Sequence, residues 1–136
     1  MTNATKLIAG ILLIAMTTIE YGGTFLLGIL SGTYAGFTDF QRSMFRAGHA
    51  HAGVLTILGL VALLFADHAG LSAPMGWAVR IGFAAAPVLV SAGFFGAAIG
   101  TGRTQPGALI ALLWIGAVML AGSLIALGVG LLRAQS

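Results

Sequence analysis

Four long apolar runs organise this chain, and short segments richer in polar residues and glycine separate them. The runs cover residues 7–31, 47–66, 81–100 and 107–132. A helix needs about 20 mostly apolar residues to cross the hydrocarbon core of a bilayer, and every run reaches that length. The pattern therefore predicts an all-α fold, an integral membrane four-helix bundle with short loops.

The predicted helices fill a single transmembrane domain that spans residues 1–136. Their approximate limits are 6–31, 39–67, 76–100 and 106–133. Thr38 and Gln41 form a capping-box pattern, which places the start of the second helix near Asp39. The first run stays apolar well beyond the hydrophobic region of a signal peptide, so we interpret it as a helix that is retained.

Composition narrows the class further. Of 136 residues, 59% are hydrophobic and only 7% are charged, which leaves almost nothing for a soluble domain. The six Lys and Arg residues are scattered at the ends of the runs and form no basic cluster, so no nucleic-acid partner is expected. The absence of cysteine excludes disulfides, iron–sulfur clusters and covalently attached heme. We expect a multi-pass protein of the plasma (inner) membrane, in contact with lipid.

The basic residues do not decide the orientation of the chain in the membrane. Four spans place both termini on one side, and each side then carries three basic residues, so the positive-inside rule gives a tie. The two groups are Lys6, Arg80 and Arg133 on the terminal side and Arg42, Arg46 and Arg103 on the other.

Ionisable residues inside the apolar runs are the candidate functional groups. Glu20 lies in the first run, and Arg46, His49 and His51 lie close together in the segment FRAGHAHAGVL. Such residues are costly in a bilayer and by default mark functional sites. At ~1.5 Å rise per residue, His49 and Glu20 reach a similar depth in an antiparallel hairpin. The sequence predicts one polar site in the half of the membrane nearer the loop 32–41.

The two histidines are expected to serve different surfaces of the second helix. Arg42, Arg46, His49, Gly53 and Thr56 follow one another at spacings of three and four, which places them on one stripe. His51 points the opposite way, so the two rings cannot chelate one metal from a regular helix. We expect His49 to be the more consequential histidine, because it shares the stripe and matches Glu20 in depth.

The segment Arg46-x-x-His49-x-His51, followed by a small residue and an apolar helix, resembles the heme-ligating second helix of heme-copper oxidase subunit I and its nitric-oxide-reductase relatives. The resemblance covers residues 46–60 and implies that His49 or His51 is an axial heme ligand. The layout is also similar to the membrane-associated eicosanoid and glutathione metabolism family. That family ranks lower, because its asparagine and glutamate do not follow Arg46.

These features predict binding of a b-type heme or a divalent metal, for electron transfer, sensing or small redox chemistry. With heme, His49 would be an axial ligand, Gly53 would leave room for the ring, and Arg46 would pair with a propionate. With a divalent metal, His49 and Glu20 would be ligands, joined by His51 of another subunit or by water. The alternatives are a proton or small-solute pathway through Glu20 and the histidines, and a non-catalytic structural subunit of a membrane complex.

Small residues suggest how the helices associate. Gly93, Gly96 and Gly100 form a ridge on the third helix, which predicts a homo-oligomer built through glycine faces or a subunit of a larger complex. Pro87 should kink the third helix and free a carbonyl near the middle of the membrane. Asp67 and His68 are interpreted as a polar pair at the membrane interface.

Overall fold

The computed structural model describes residues 1–134. Its four helices are α1 (Asn3–Leu30), α2 (Asp39–Ala66), α3 (Ala73–Ala97) and α4 (Ile110–Arg133), and the described residues contain no strand. Each helix is long and apolar enough to cross a membrane. The chain is a multi-pass membrane protein with the predicted all-α four-helix bundle fold.

Local sequence signals explain the helix limits. The hydroxyl of Thr38 accepts a hydrogen bond from the Gln41 backbone N–H, and the Gln41 side chain reaches back to the Thr38 backbone, so the predicted capping box is confirmed. The helix predicted at 106–133 begins later, at Ile110, because tight turns precede it. The Gly107 N–H donates to the Ala97 carbonyl at 2.8 Å, which folds this segment back onto the end of α3.

The helices pack in chain order, α1 on α2, α2 on α3 and α3 on α4. Smaller contacts join α1 to α3 and α2 to α4, whereas the Cα atoms of α1 and α4 nowhere approach within 8 Å. Much of the surface of α1 is therefore turned away from its own chain. The best-covered helix is α3, which lies between α2 and α4 and buries Phe83 and Val79 completely.

The glycine ridge of α3 is covered by α4, which corrects the predicted use of this ridge between subunits. A Cβ atom added to Gly93 would lie 2.4 Å from the backbone nitrogen of Leu113, and one added to Gly96 would lie 2.9 Å from Leu109. Gly100 lies beyond the last residue of α3. Small residues permit close backbone approach whichever helix is the partner, and here the partner belongs to the same chain.

Pro87 lies inside α3 and is buried there. Proline cannot donate a hydrogen bond to the carbonyl four residues earlier, which is that of Phe83. This carbonyl is directed at α2, where a Cβ atom added to Gly59 would lie 3.0 Å from the Phe83 oxygen. Glycine at position 59 therefore lets α2 approach the carbonyl that proline leaves free.

The Gln41 side chain connects the start of α2 to the loop between α3 and α4. Its amide nitrogen donates to the Ala98 carbonyl at 2.9 Å and to the Gly100 carbonyl at 2.8 Å. The Thr38 hydroxyl donates to the Arg103 carbonyl in the same region. These bonds hold the bundle together at the membrane end nearer His49 and His51, because they satisfy the carbonyl of the α3 C-cap and two carbonyls of the loop that follows it.

Candidate functional site

His49 faces α1. A Cβ atom added to Gly23 would lie 3.1 Å from Cε1 and 3.3 Å from Nε2 of the His49 ring, so the imidazole packs directly on the α1 backbone. The half-buried ring makes no side-chain hydrogen bond within residues 1–134. The contact across the α1–α2 hairpin therefore involves His49 and Gly23, with the Cε1–Nε2 edge of the ring directed at the α1 backbone.

His51 lies on the other side of α2 and faces α3. Its ring centroid is 4.8 Å from that of Phe94, with 35° between the ring planes. Its Nδ1 donates to the Ala47 carbonyl at 2.8 Å, since a carbonyl can only accept. In a neutral imidazole the lone pair then resides on Nε2, which has no partner in the described part of the chain. The side chain is exposed on the membrane-facing surface.

Glu20 and Arg46 are both exposed, and neither forms an ion pair or a side-chain hydrogen bond within residues 1–134. Glu20 lies on the outward surface of α1, three residues from the glycine that contacts His49. Gly53 borders open space on the stripe that it shares with Arg46. The four ionisable residues predicted to form one site are thus divided between two surfaces of the bundle, with only His51 on the second.

The arrangement restricts what cofactor one copy of the chain could hold. Across residues 1–134, no three His, Asp or Glu side chains are grouped closely enough to bind a metal ion. A zinc ion takes three or four protein ligands, and Ca²⁺ takes six to eight oxygen ligands. A heme iron already has four porphyrin nitrogens and needs only one or two axial ligands. A single free imidazole nitrogen therefore fits a heme better than it fits a bare cation.

Sequence reasoning missed a buried polar cluster at the opposite end of the bundle, where Asp67 follows α2. Arg80 Nη2 donates to Asp67 Oδ1 at 2.6 Å, and Arg80 Nε donates to the Thr5 hydroxyl at 3.0 Å. Thr5 in turn donates to Asp67 Oδ1 at 2.6 Å, and Thr2 donates to the same carboxylate. The cluster joins α1, α2 and α3.

This cluster corrects the predicted pairing of Asp67 with His68. The carboxylate turns inward to Arg80, and the Asp67 side chain is only 8% exposed, whereas His68 is exposed. The sequence gives only a weak signal for this cluster. Arg80 stands there as a basic residue at the end of an apolar run, on one helical stripe with Pro87 and Ser91. Thr5, a hydrogen-bond partner of Arg80, is 75 residues away in the sequence, so no local pattern predicts this contact.

The environment of Asp67 changes its acidity. Burial raises the pKa of this carboxyl, but hydrogen bonds from Thr5, from the Thr2 backbone N–H and from Arg80 lower it by more. The net result is a pKa well below the ordinary value of an aspartic acid. The carboxylate therefore stays ionised, which is the form that its donors require.

Comparison with models of protein families, with curated proteins and with solved structures finds no match to this chain.

Proposed function

We propose that this protein holds a b-type heme in the membrane, with Nε2 of His51 as an axial ligand. The observation that carries the proposal is the hydrogen bond from His51 Nδ1 to the Ala47 carbonyl. Histidines that bind metals almost always donate their second ring N–H to such an acceptor, which fixes the ring and makes the ligating nitrogen more basic. His49 makes no such bond in the described part of the chain, and its Nε2 packs on α1.

The surface around His51 suits a porphyrin. Val54 lies one turn further along α2 and is 64% exposed, and the Phe94 ring lies beside the imidazole. A porphyrin ring is largely apolar and can lie on such side chains. Arg46 and Gly53, which the sequence assigned to the heme, lie on the His49 side of α2 and would not contact a ring bound here. Bound heme would supply one-electron redox chemistry, suited to electron transfer, sensing or small redox reactions.

We further propose that the protein works as a homo-oligomer in the plasma (inner) membrane, through the surface that carries His51. A heme held on an exposed surface has one face uncovered. A second copy related by two-fold symmetry would cover that face and supply its own His51 as the second axial ligand. The predicted glycine ridge is not needed for this association, since α4 covers it.

Two other functions predicted from the sequence gain less support. Within residues 1–134, no side-chain hydrogen bond links Glu20 to either histidine, so no observation favours a proton pathway. A divalent metal would need ligands from another chain or from water in addition to His49, His51 or Glu20, because the described residues contain no group of three.

Titration of the purified protein with hemin in detergent micelles tests the proposal. Saturable binding at one heme per two chains, with the absorption spectrum of a low-spin bis-imidazole heme, is expected. Protein-free micelles of the same detergent are the control. A spectrum identical to hemin in empty micelles would contradict heme binding, and a colourless protein that retains a stoichiometric divalent metal would favour the metal-binding alternative instead.

A further inference from the structure

A cavity of about 300 Å³ lies between α1, α2 and α3, on a different side of α2 from His51. Thr18 of α1, Ala52 and Thr56 of α2, and Pro87 and Ser91 of α3 contribute to its wall. Among residues 1–134, no charged side chain lines it. Exposed residues of the membrane-facing surface, Val88 among them, border the cavity, so a molecule dissolved in the bilayer can enter from the side.

Ser91 supplies a polar group in this wall that lacks a partner. The residue is 7% exposed, and its buried Oγ makes no hydrogen bond to any described residue. Serine and threonine hydroxyls inside apolar helices normally bond to a carbonyl three or four residues earlier. Thr18 and Thr56, in the same wall, do so at 2.6 Å. A buried hydroxyl without a partner costs free energy, so an unpaired one in a cavity wall suggests a ligand atom that completes it.

We propose that this cavity binds a neutral, ring-sized molecule from the bilayer whose carbonyl oxygen accepts a hydrogen bond from Ser91. The Ser91 hydroxyl has an O–H donor without a partner, and a carbonyl oxygen is an acceptor that it can bond to. An ionised ligand is excluded, because the described wall offers no opposite charge. The volume is at the lower end of the range for small-molecule sites, which suits a ring with a carbonyl group better than a whole lipid.

Equilibrium binding to the full chain in lipid nanodiscs tests this assignment. The probe is methylnaphthoquinone, and the matched control is methylnaphthalene, which has the same fused ring and no carbonyl. We expect saturable binding of the quinone above its partition into empty nanodiscs. Ser91→Ala should weaken that binding about tenfold, since one hydrogen bond is lost. Binding of methylnaphthalene should be weaker than that of the quinone and equal in both proteins.

Two further variants separate a specific site from a general effect. Ser123 is also 7% exposed, but its hydroxyl donates to the Met119 carbonyl and it lies outside this cavity, so Ser123→Ala should bind the quinone like the parent chain. Ala92→Leu should reduce binding of both probes, because the larger side chain fills the cavity. Helix content, measured by circular dichroism, checks that each variant folds.

The proposal is independent of heme, so His51→Ala should leave quinone binding unchanged. Equal affinity for both probes, with no effect of Ser91→Ala, would overturn it and identify the cavity as a groove for lipid acyl chains. Quinone uptake no greater than in empty nanodiscs would overturn it as well.

Discussion

Arg80 Nη2 lies 2.6 Å from Asp67 Oδ1, and both side chains are less than one-tenth exposed. Arg80 approaches from α3, and Asp67 immediately follows α2, so the pair connects two helices across the loop 67–72. Thr5 of α1 is hydrogen-bonded to both residues, so α1 is joined to the same cluster. This buried polar cluster fixes three of the four helices at one end, while His49 and His51 lie towards the other.

Removal of one partner from the cluster should destabilise the fold. Asp67→Asn leaves the Arg80 guanidinium buried without its counter-charge, which costs about 3 kcal/mol in comparable buried pairs. The free energy of unfolding in mixed micelles measures the effect. Asp39→Asn is the matched control, because Asp39 is exposed in the first turn of α2 and should cost less than about 1 kcal/mol. Equal losses in the two variants would contradict the assigned role of the pair.

The same cluster predicts acid sensitivity. Because the pKa of Asp67 is lowered by folding, its contribution to stability is complete above the ordinary aspartate pKa of about 4 and is lost as the pH falls below that value. Thermal unfolding of the parent chain should therefore occur at progressively lower temperature below about pH 4. Asp67→Asn should remove most of this dependence. An equally steep acid dependence in the variant would assign it to other groups.

Close packing of α3 on α4 predicts which destabilising glycine substitution can be rescued by a second substitution. A Cβ atom on Gly82 would lie 1.9 Å from the Ser123 hydroxyl oxygen, so Gly82→Ala should cost about 1–3 kcal/mol. Ser123→Ala should recover much of that loss, because it removes the clashing atom. Gly93→Ala should resist rescue by Leu113→Ala, since its Cβ would meet the Leu113 backbone nitrogen. Unfolding free energies of the two double variants decide the point; equal rescue would contradict these contacts between α3 and α4.

Glu20 should contribute little to the fold of a single chain. It is exposed and makes no side-chain bond within residues 1–134, so Glu20→Gln should change the unfolding free energy by less than about 0.5 kcal/mol. Heme binding should also be unchanged, because Glu20 and His51 lie on different surfaces. Loss of heme in this variant would instead support the single polar site expected from the sequence.

Local patterns predicted the parts of the structure that depend on neighbours in sequence. Run length gave the four helices, Thr38 and Gln41 gave the start of α2, and the angle of about 100° per residue separated His49 from His51. Contacts between helices were harder to predict. Gly93 predicts a close approach between helices but does not identify the partner helix. Nothing in the sequence near Asp67 indicates that its partner is Arg80 and not His68. Both depend on how whole helices pack.

The heme content of three histidine variants, each purified in equal amount after saturation with hemin, decides whether His51 is the heme ligand. His51→Ala should lose the Soret absorption of the bound heme, because it removes the proposed axial ligand. His49→Ala should retain it, as should His68→Ala, the control in the exposed loop after α2. Retention of heme by His51→Ala together with its loss from His49→Ala would contradict heme ligation by His51 and place the functional surface of α2 against α1.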